Sequence, residues 1–153
     1  MKTILLCLLG LIMPLALMSQ ISQGDDGFFY DKNNKPYNGT YVEYFDNGQP
    51  KMEMSLQQGK QHGLVNYYYR NGQRKEQRSY HEGVMDGLWV TWSESGVKTA
   101  EARYRQNLKH GKWFVWDELG TLRYDMTYTD GEKTGLWIMY DEKGQKSGEK
   151  QYK

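Results

Sequence analysis

The sequence predicts an all-β protein: an elongated antiparallel meander of tandem 24-residue β-hairpin repeats, preceded by a helical signal peptide. Three observations predict it. Gly39, Gly63, Gly87, Gly111 and Gly135 follow one another at intervals of 24 residues, without insertion or deletion. A second glycine stands nine residues after each, at Gly48, Gly72, Gly96, Gly120 and Gly144. An aromatic stands five residues after each first glycine (Tyr44, Tyr68, Trp92, Trp116, Tyr140), and Leu56, Tyr80, Tyr104, Tyr128 and Tyr152 stand seventeen after. Self-similarity at a fixed short period means stacked copies of one small unit.

The first nineteen residues are different material. Lys2 precedes an apolar run from Ile4 to Met18, broken by Pro14 and followed by Ser19 and Gln20. A charged start, a short apolar stretch and small or polar residues after it describe a cleavable signal peptide over residues 1–19. The run falls short of the ~20 apolar residues a membrane-spanning helix needs. The expected location is therefore the periplasm, the outer envelope or the medium. Cys7 lies inside the apolar run rather than after it, so lipidation is not expected. It is the only cysteine, and a mature chain without it must hold together by packing alone.

Residues 20–38 contain Phe28-Phe29-Tyr30 and then Asp31-Lys32-Asn33-Asn34-Lys35-Pro36. They read as a divergent half-repeat that caps the first full unit, with residues 20–26 expected to be disordered. Five units follow, at 39–62, 63–86, 87–110, 111–134 and 135–153. In the third, Leu88-Trp89-Val90-Thr91-Trp92 has the β-branched and aromatic composition of a strand. Ser93 to Gly96 breaks it, and Lys98 to Arg105 alternates with the period of a second strand.

The two breaks in each unit carry different turn chemistry. Asn47-Gly48 and Asn71-Gly72 suit a two-residue turn, but other units place Ser95, Leu119 or Lys143 before the glycine. A leucine at positive φ is strained, so a longer turn with a single left-handed glycine fits the set. The second break reads Gln58-Gly59, Glu82-Gly83, Gln106-Asn107 and Asp130-Gly131. Its one departure from glycine is asparagine, the next most tolerant of left-handed geometry, so these residues serve backbone conformation. If a two-residue turn closes the first break, Tyr44 faces Lys51, Tyr68 faces Lys75 and Trp116 faces Arg123. The same register puts Trp89, Ala102 and Tyr104 on one face with Trp113, Met126 and Tyr128, whereas a one-residue bulge exchanges the faces.

Laid out in this way, the chain resembles the MORN-repeat variant family. The matching stretches include Gly63-Leu64-Val65-Asn66-Tyr67-Tyr68-Tyr69-Arg70-Asn71-Gly72 and Gly135-Leu136-Trp137-Ile138-Met139-Tyr140. The resemblance implies a hairpin-repeat scaffold. Bacterial members are often labelled antitoxin components of toxin–antitoxin systems, and the wider class is linked to membranes and protein assembly.

Composition excludes several functions. The formal net charge is +1, from 20 basic and 19 acidic residues, so no basic stripe for nucleic acid is expected. His62 and His110 share the slot before a unit glycine, two units and ~20 Å apart, too far to share a metal ion. Glu53, Glu101, Asp125 and Glu149 recur at one position, with Gln77 there in the second unit and Lys51, Lys75 and Arg123 two residues away, as on a solvated face of alternating sign. No phosphate loop or nucleophile elbow is present. No enzyme, cofactor or metal site is expected. The candidate binding surface is the aromatic set Tyr44, Tyr68, Trp92, Trp113, Trp116 and Tyr140, since aromatics are enriched at binding hot spots. The first expectation is an exported protein-interaction scaffold of a bacterial envelope, with another protein as partner. An antitoxin-like protein and a cell-wall or glycan-binding module are the alternatives. Membrane-surface contact has little support in the charge balance.

Overall fold

The computed structural model describes residues 21–153, so the expected signal peptide over residues 1–19 lies outside the described residues. Among those residues every regular element is a β-strand. A small hairpin, β1 (Ser22–Gln23) and β2 (Phe29–Tyr30), opens the chain. The meander follows: β3 (Gly39–Tyr44), β4 (Pro50–Gln57), β5 (Lys60–Tyr68), β6 (Arg74–His81), β7 (Val84–Trp92) and β8 (Lys98–Arg105). It continues through β9 (Leu108–Lys109), β10 (Gly111–Trp116), β11 (Leu122–Thr129), β12 (Glu132–Tyr140) and β13 (Lys146–Tyr152). Each strand from β3 to β13 pairs antiparallel with its chain neighbours; β9 and β10 together form one strand interrupted at His110. Ten strand positions at a spacing of ~4.8 Å make a ribbon about 45 Å long.

The first break of each unit is the longer turn the mixed sequences require. In the first unit the Gly48 N–H donates to the Phe45 carbonyl, and the Phe45 N–H donates to the Gln49 carbonyl. Gly48 has φ +80°, while Asn47 stays out of the left-handed region. This is a three-residue loop built on a type I turn and closed by a left-handed residue. The capping segment repeats it with asparagine for glycine: Asn34 has φ +58° and its N–H donates to the Asp31 carbonyl. The same loop geometry thus recurs in the segment before the first unit.

The second break is a two-residue turn with both centres left-handed, as at Gln58 (φ +50°) and Gly59 (φ +76°). These turns form a row in which each donates to the preceding unit: Gly83 N–H to Gln61 O, and Gly131 N–H to Lys109 O. The unit glycines serve another need. The strand after each second break bulges: Arg78 pairs with Trp89, but Tyr80 pairs with Met85. Gly87 sits in that bulge at φ +107°, where an added Cβ would lie 3.0 Å from the Ser79 Cβ.

Two expectations need correction. Residues 21–26 are ordered: Ser22 pairs with Tyr30, and the Tyr30 hydroxyl donates to Asp26 at 2.6 Å. The polar Gly-Asp-Asp stretch suggests disorder, but local pairing with the aromatic strand fixes it. The expected register holds along the strand body, from Gly39 with Leu56 to Glu43 with Met52, and then slips by one. Tyr44 therefore pairs with Pro50, Tyr68 with Arg74 and Trp116 with Leu122. Lys51, Lys75 and Arg123 are the extra residues at each slip and do not face these aromatics. Because the slip comes at the strand end, the two faces keep their membership.

The core is small and lies at the N-terminal end of one face. Met52, Met54, Leu56 and Val65 are buried there, with Phe29, Tyr37, Tyr41, Tyr67 and Tyr80 packed against them. Phe29 belongs to the cap, whose N–H donates to the Gly59 carbonyl. Full burial of one such aliphatic side chain contributes about 1.5–3 kcal/mol.

Candidate interaction surface

The ribbon is one layer thick, so its two faces are the surfaces available for recognition. Cross-strand pairing assigns the residues to them. Trp89 pairs with Ala102, Trp113 with Met126 and Trp137 with Lys150, which places these tryptophans on the face that carries the core. The aromatics at the strand ends belong to the other face, next to the row of longer loops.

On the core face the rings form a continuous chain. Trp89, Tyr104, Trp113, Tyr128, Trp137 and Tyr152 follow one another with centroids 4.8–5.5 Å apart and planes tilted by 48–57°. Tilted aromatic contacts of this kind add about 0.5–1.5 kcal/mol each beyond the area they bury. The indole N–H of Trp113 donates to the Arg103 carbonyl and that of Trp137 to the Thr127 carbonyl, both at 3.0 Å. These carbonyls belong to the strands beside the glycine bulge, so each indole secures its own bulge. Lysines cover the rings: Lys109 lies over Trp113 and Tyr128, and Lys133 over Trp137 and Tyr152. Burial raises the phenol pKa of Tyr128 and of Tyr104.

The opposite face carries Tyr44, Tyr68, Trp92, Trp116 and Tyr140. Here Arg74 lies over the Trp92 ring and Lys98 over the Trp116 ring, at 5.5 and 4.3 Å from the centroids. Each cation reaches the aromatic of the following unit. The carboxylates alternate with them: Lys98 bonds Glu101, Lys112 bonds Asp125 and Lys146 bonds Glu149, while the Tyr68 hydroxyl donates to Glu53. The alternating charges are real, but their cationic members differ from Lys51, Lys75 and Arg123. The sequence-derived surface therefore divides: Trp113 lies on the core face and the other five residues on the opposite one.

The two ends of the core face differ. At the N-terminal end Met52 pairs with Tyr67, belongs to the buried cluster that Phe29 of the cap packs against, and is 7% exposed. Three units later, Tyr124 pairs with Met139 at the same positions. Among the described residues no cap lies over this pair, and Tyr124 is 45% and Met139 38% exposed. They line an open groove of about 410 Å³ with Met126, Trp137, Lys150 and Tyr152. Sequence reasoning missed this groove, because it lies between units. The signal was the row of apolar side chains at 115, 124, 126, 137 and 139 on one face.

Sequence reasoning also passed over one close pair. The rings of His62 and His81 have centroids 4.9 Å apart. The register from the Asn71-Gly72 loop was enough to find them, since Gly63 pairs with Tyr80.

No curated protein gives a significant match to the chain. The family model for the MORN repeat variant matches residues 37–58, 61–82, 109–130 and 133–153. Each matched stretch is one strand, its longer loop and the returning strand. The unmatched interval contains β7 and β8, which pair in the same register as the other units, from Gly87 with Tyr104 to Trp92 with Lys98. Its sequence departs from the other units at the second turn, with Asn107 in place of a glycine. Since the matched segments make up more than half of its length, and the unmatched hairpin repeats their geometry, this chain belongs to the MORN repeat variant family.

Proposed function

We propose that this chain is a non-enzymatic, exported protein-interaction scaffold of a bacterial envelope or of the surrounding medium. It binds a partner protein through the open C-terminal end of its core face. A repeat-based interaction module is consistent with the MORN repeats themselves. The carrying observation is the unequal cover of equivalent positions: Met52 is buried in the cluster against which Phe29 packs, while Tyr124 is open to solvent. Two adjacent exposed apolar side chains beside Trp137, rimmed by Lys150, have the anatomy of a small hot spot with a polar edge.

Ring cover favours a protein over a glycan. Sugar stacking needs a free aromatic face, and lysine or arginine lies over Trp92, Trp113, Trp116 and Trp137. Three carboxylates of the opposite face, Glu101, Asp125 and Glu149, are held in ion pairs, which supports a solvated surface rather than acid–base chemistry. The leader, Lys2 to Met18, is what supports export.

The test is affinity capture from envelope extract and from conditioned medium with wild type, Tyr124→Ser and Met139→Lys. The expected result is one defined protein retained by wild type and lost by both variants, whose melting temperatures match wild type. Equal retention by all three chains overturns the assignment of the surface. Retention on peptidoglycan competed by free sugar would assign a glycan instead, and salt-sensitive co-sedimentation with vesicles a membrane. An unprocessed amino terminus in the cytoplasmic fraction would overturn export.

A further inference from the structure

His62 and His81 form a pair that nothing in the proposed scaffold role uses. His62 lies in β5 beside the unit glycine Gly63, and His81 ends β6. Since Gly63 pairs with Tyr80, the next step outward sets the two histidines opposite each other. Their ring centroids are 4.9 Å apart and their planes are tilted by 50°. His81 is exposed and His62 half-buried, so both can be reached from solvent. We infer that this pair is a chelating site for a divalent late-transition-metal ion, with Cu²⁺ bound most strongly.

The geometry suits one ion held by two imidazoles. With metal–nitrogen bonds of about 2.0–2.1 Å, two imidazoles bound side by side at tetrahedral or square angles have centroids about 4.5–5.2 Å apart. The observed separation falls inside that range. Neither ring takes part in a hydrogen bond or ion pair among the described residues, whereas the His110 Nδ1 lies 3.4 Å from Asp130. The ring nitrogens of the pair are thus free to coordinate. Both strands are fixed by the ladder from Gly63 to Tyr68, so little backbone order has to be gained on binding.

The surroundings add one anionic group. Glu82 follows His81 directly, in the tight turn at φ +49°, and shares with His62, Gln57 and Gln58 a shallow surface depression. The cation of that depression, Lys60, is engaged elsewhere, with its ammonium 5.2 Å from the Phe28 ring centroid. Two imidazoles and oxygen donors select borderline metals, and among these affinity peaks at Cu²⁺. The remaining coordination positions stay open to water.

The pair is specific to one unit rather than a product of the repeat. The positions equivalent to His81 are Gln57, Arg105, Thr129 and Lys153. His110 shares the slot of His62, but the pairing of Gly111 with Tyr128 sets it opposite Thr129. It therefore provides an internal control.

The test is titration of untagged protein with Cu²⁺ near neutral pH, followed by calorimetry and by electron paramagnetic resonance. Wild type should bind one ion with the nitrogen hyperfine pattern of two imidazoles. His62→Gln and His81→Gln should each weaken binding on the order of tenfold or more, and His110→Gln should leave it unchanged. Circular dichroism checks that all variants fold. Wild-type affinity in either His62→Gln or His81→Gln, or a loss confined to His110→Gln, overturns the inference.

Discussion

Asn107 and Met85 exchange two hydrogen bonds: the Asn107 N–H donates to the Met85 carbonyl at 2.9 Å, and the Met85 N–H donates to the Asn107 side-chain oxygen at 2.6 Å. Asn107 does this at φ +66°, in the turn position that other units give to glycine. Asparagine thus meets the backbone requirement and adds an acceptor that glycine lacks. Asn107→Gly should cost about 0.5–1.5 kcal/mol, the net value of one hydrogen bond. Asn107→Ala should cost more, because a left-handed alanine adds about 1–2 kcal/mol. Urea denaturation of both variants checks the order, and an alanine variant as stable as the glycine variant contradicts the account.

Cover by the cap separates two equivalent positions. Met52→Ala, in the buried cluster that Phe29 packs against, should cost about 2–3 kcal/mol through lost burial and the cavity left behind. Tyr124→Ala, three units along and open to solvent, should stay within about 0.5 kcal/mol of wild type. Phe29→Ala should destabilise the fold and bring the Met52 position closer to the Tyr124 position in hydrogen-exchange protection. Thermal melts and exchange of the Met52 and Tyr124 amides measure both effects.

The ring chain makes a third prediction, on coupling. Trp113 and Tyr128 have centroids 5.1 Å apart, so a double-mutant cycle to leucine should return about 0.5–1.5 kcal/mol. Trp92 and Trp137 lie on opposite faces, and their cycle should return about zero. Comparable coupling in the two cycles would mean that the faces are not energetically separate.

Acid should loosen the longer loops and one of the tight turns. The Thr121 and Leu119 N–H groups and the Arg123 guanidinium hold the Asp117 carboxyl below its ordinary value of 3.8. The Lys35 and Asn33 N–H groups do the same for Asp31, and Arg105 for Asp130. A carboxyl depressed in the folded state stabilises fully above the ordinary value and loses that contribution as pH falls through the lower, folded value. Melting temperature should therefore hold from neutral pH to near 3.8 and then fall. Asp117→Asn, which keeps an acceptor without titrating, should fall less; a rise in stability over that range would contradict the sign.

Much of this was legible in the sequence, because period and turn chemistry are local. The glycines at 24-residue intervals locate every hairpin of the meander from Gly39 onward, and Leu119 before Gly120 rules out the shorter turn. The end of each pair was not legible: the slip that sets Trp116 against Leu122 depends on how the loop closes the ladder. The division of Trp113 from Trp116 follows from strand alternation alone. The groove at Tyr124 and Met139 was hidden because burial depends on what lies above a face, and the cap reaches only the first units.

Every unit meets its neighbours through the same register, the same bulge and the same turn-to-turn bond. Excision of residues 111–134 would rejoin His110 to Gly135 and offer β12 to β8 in place of β10, with Trp137 inheriting the place of Trp113. The chain is thus built to change length in whole steps, with reach as the adjustable property and chemistry held constant.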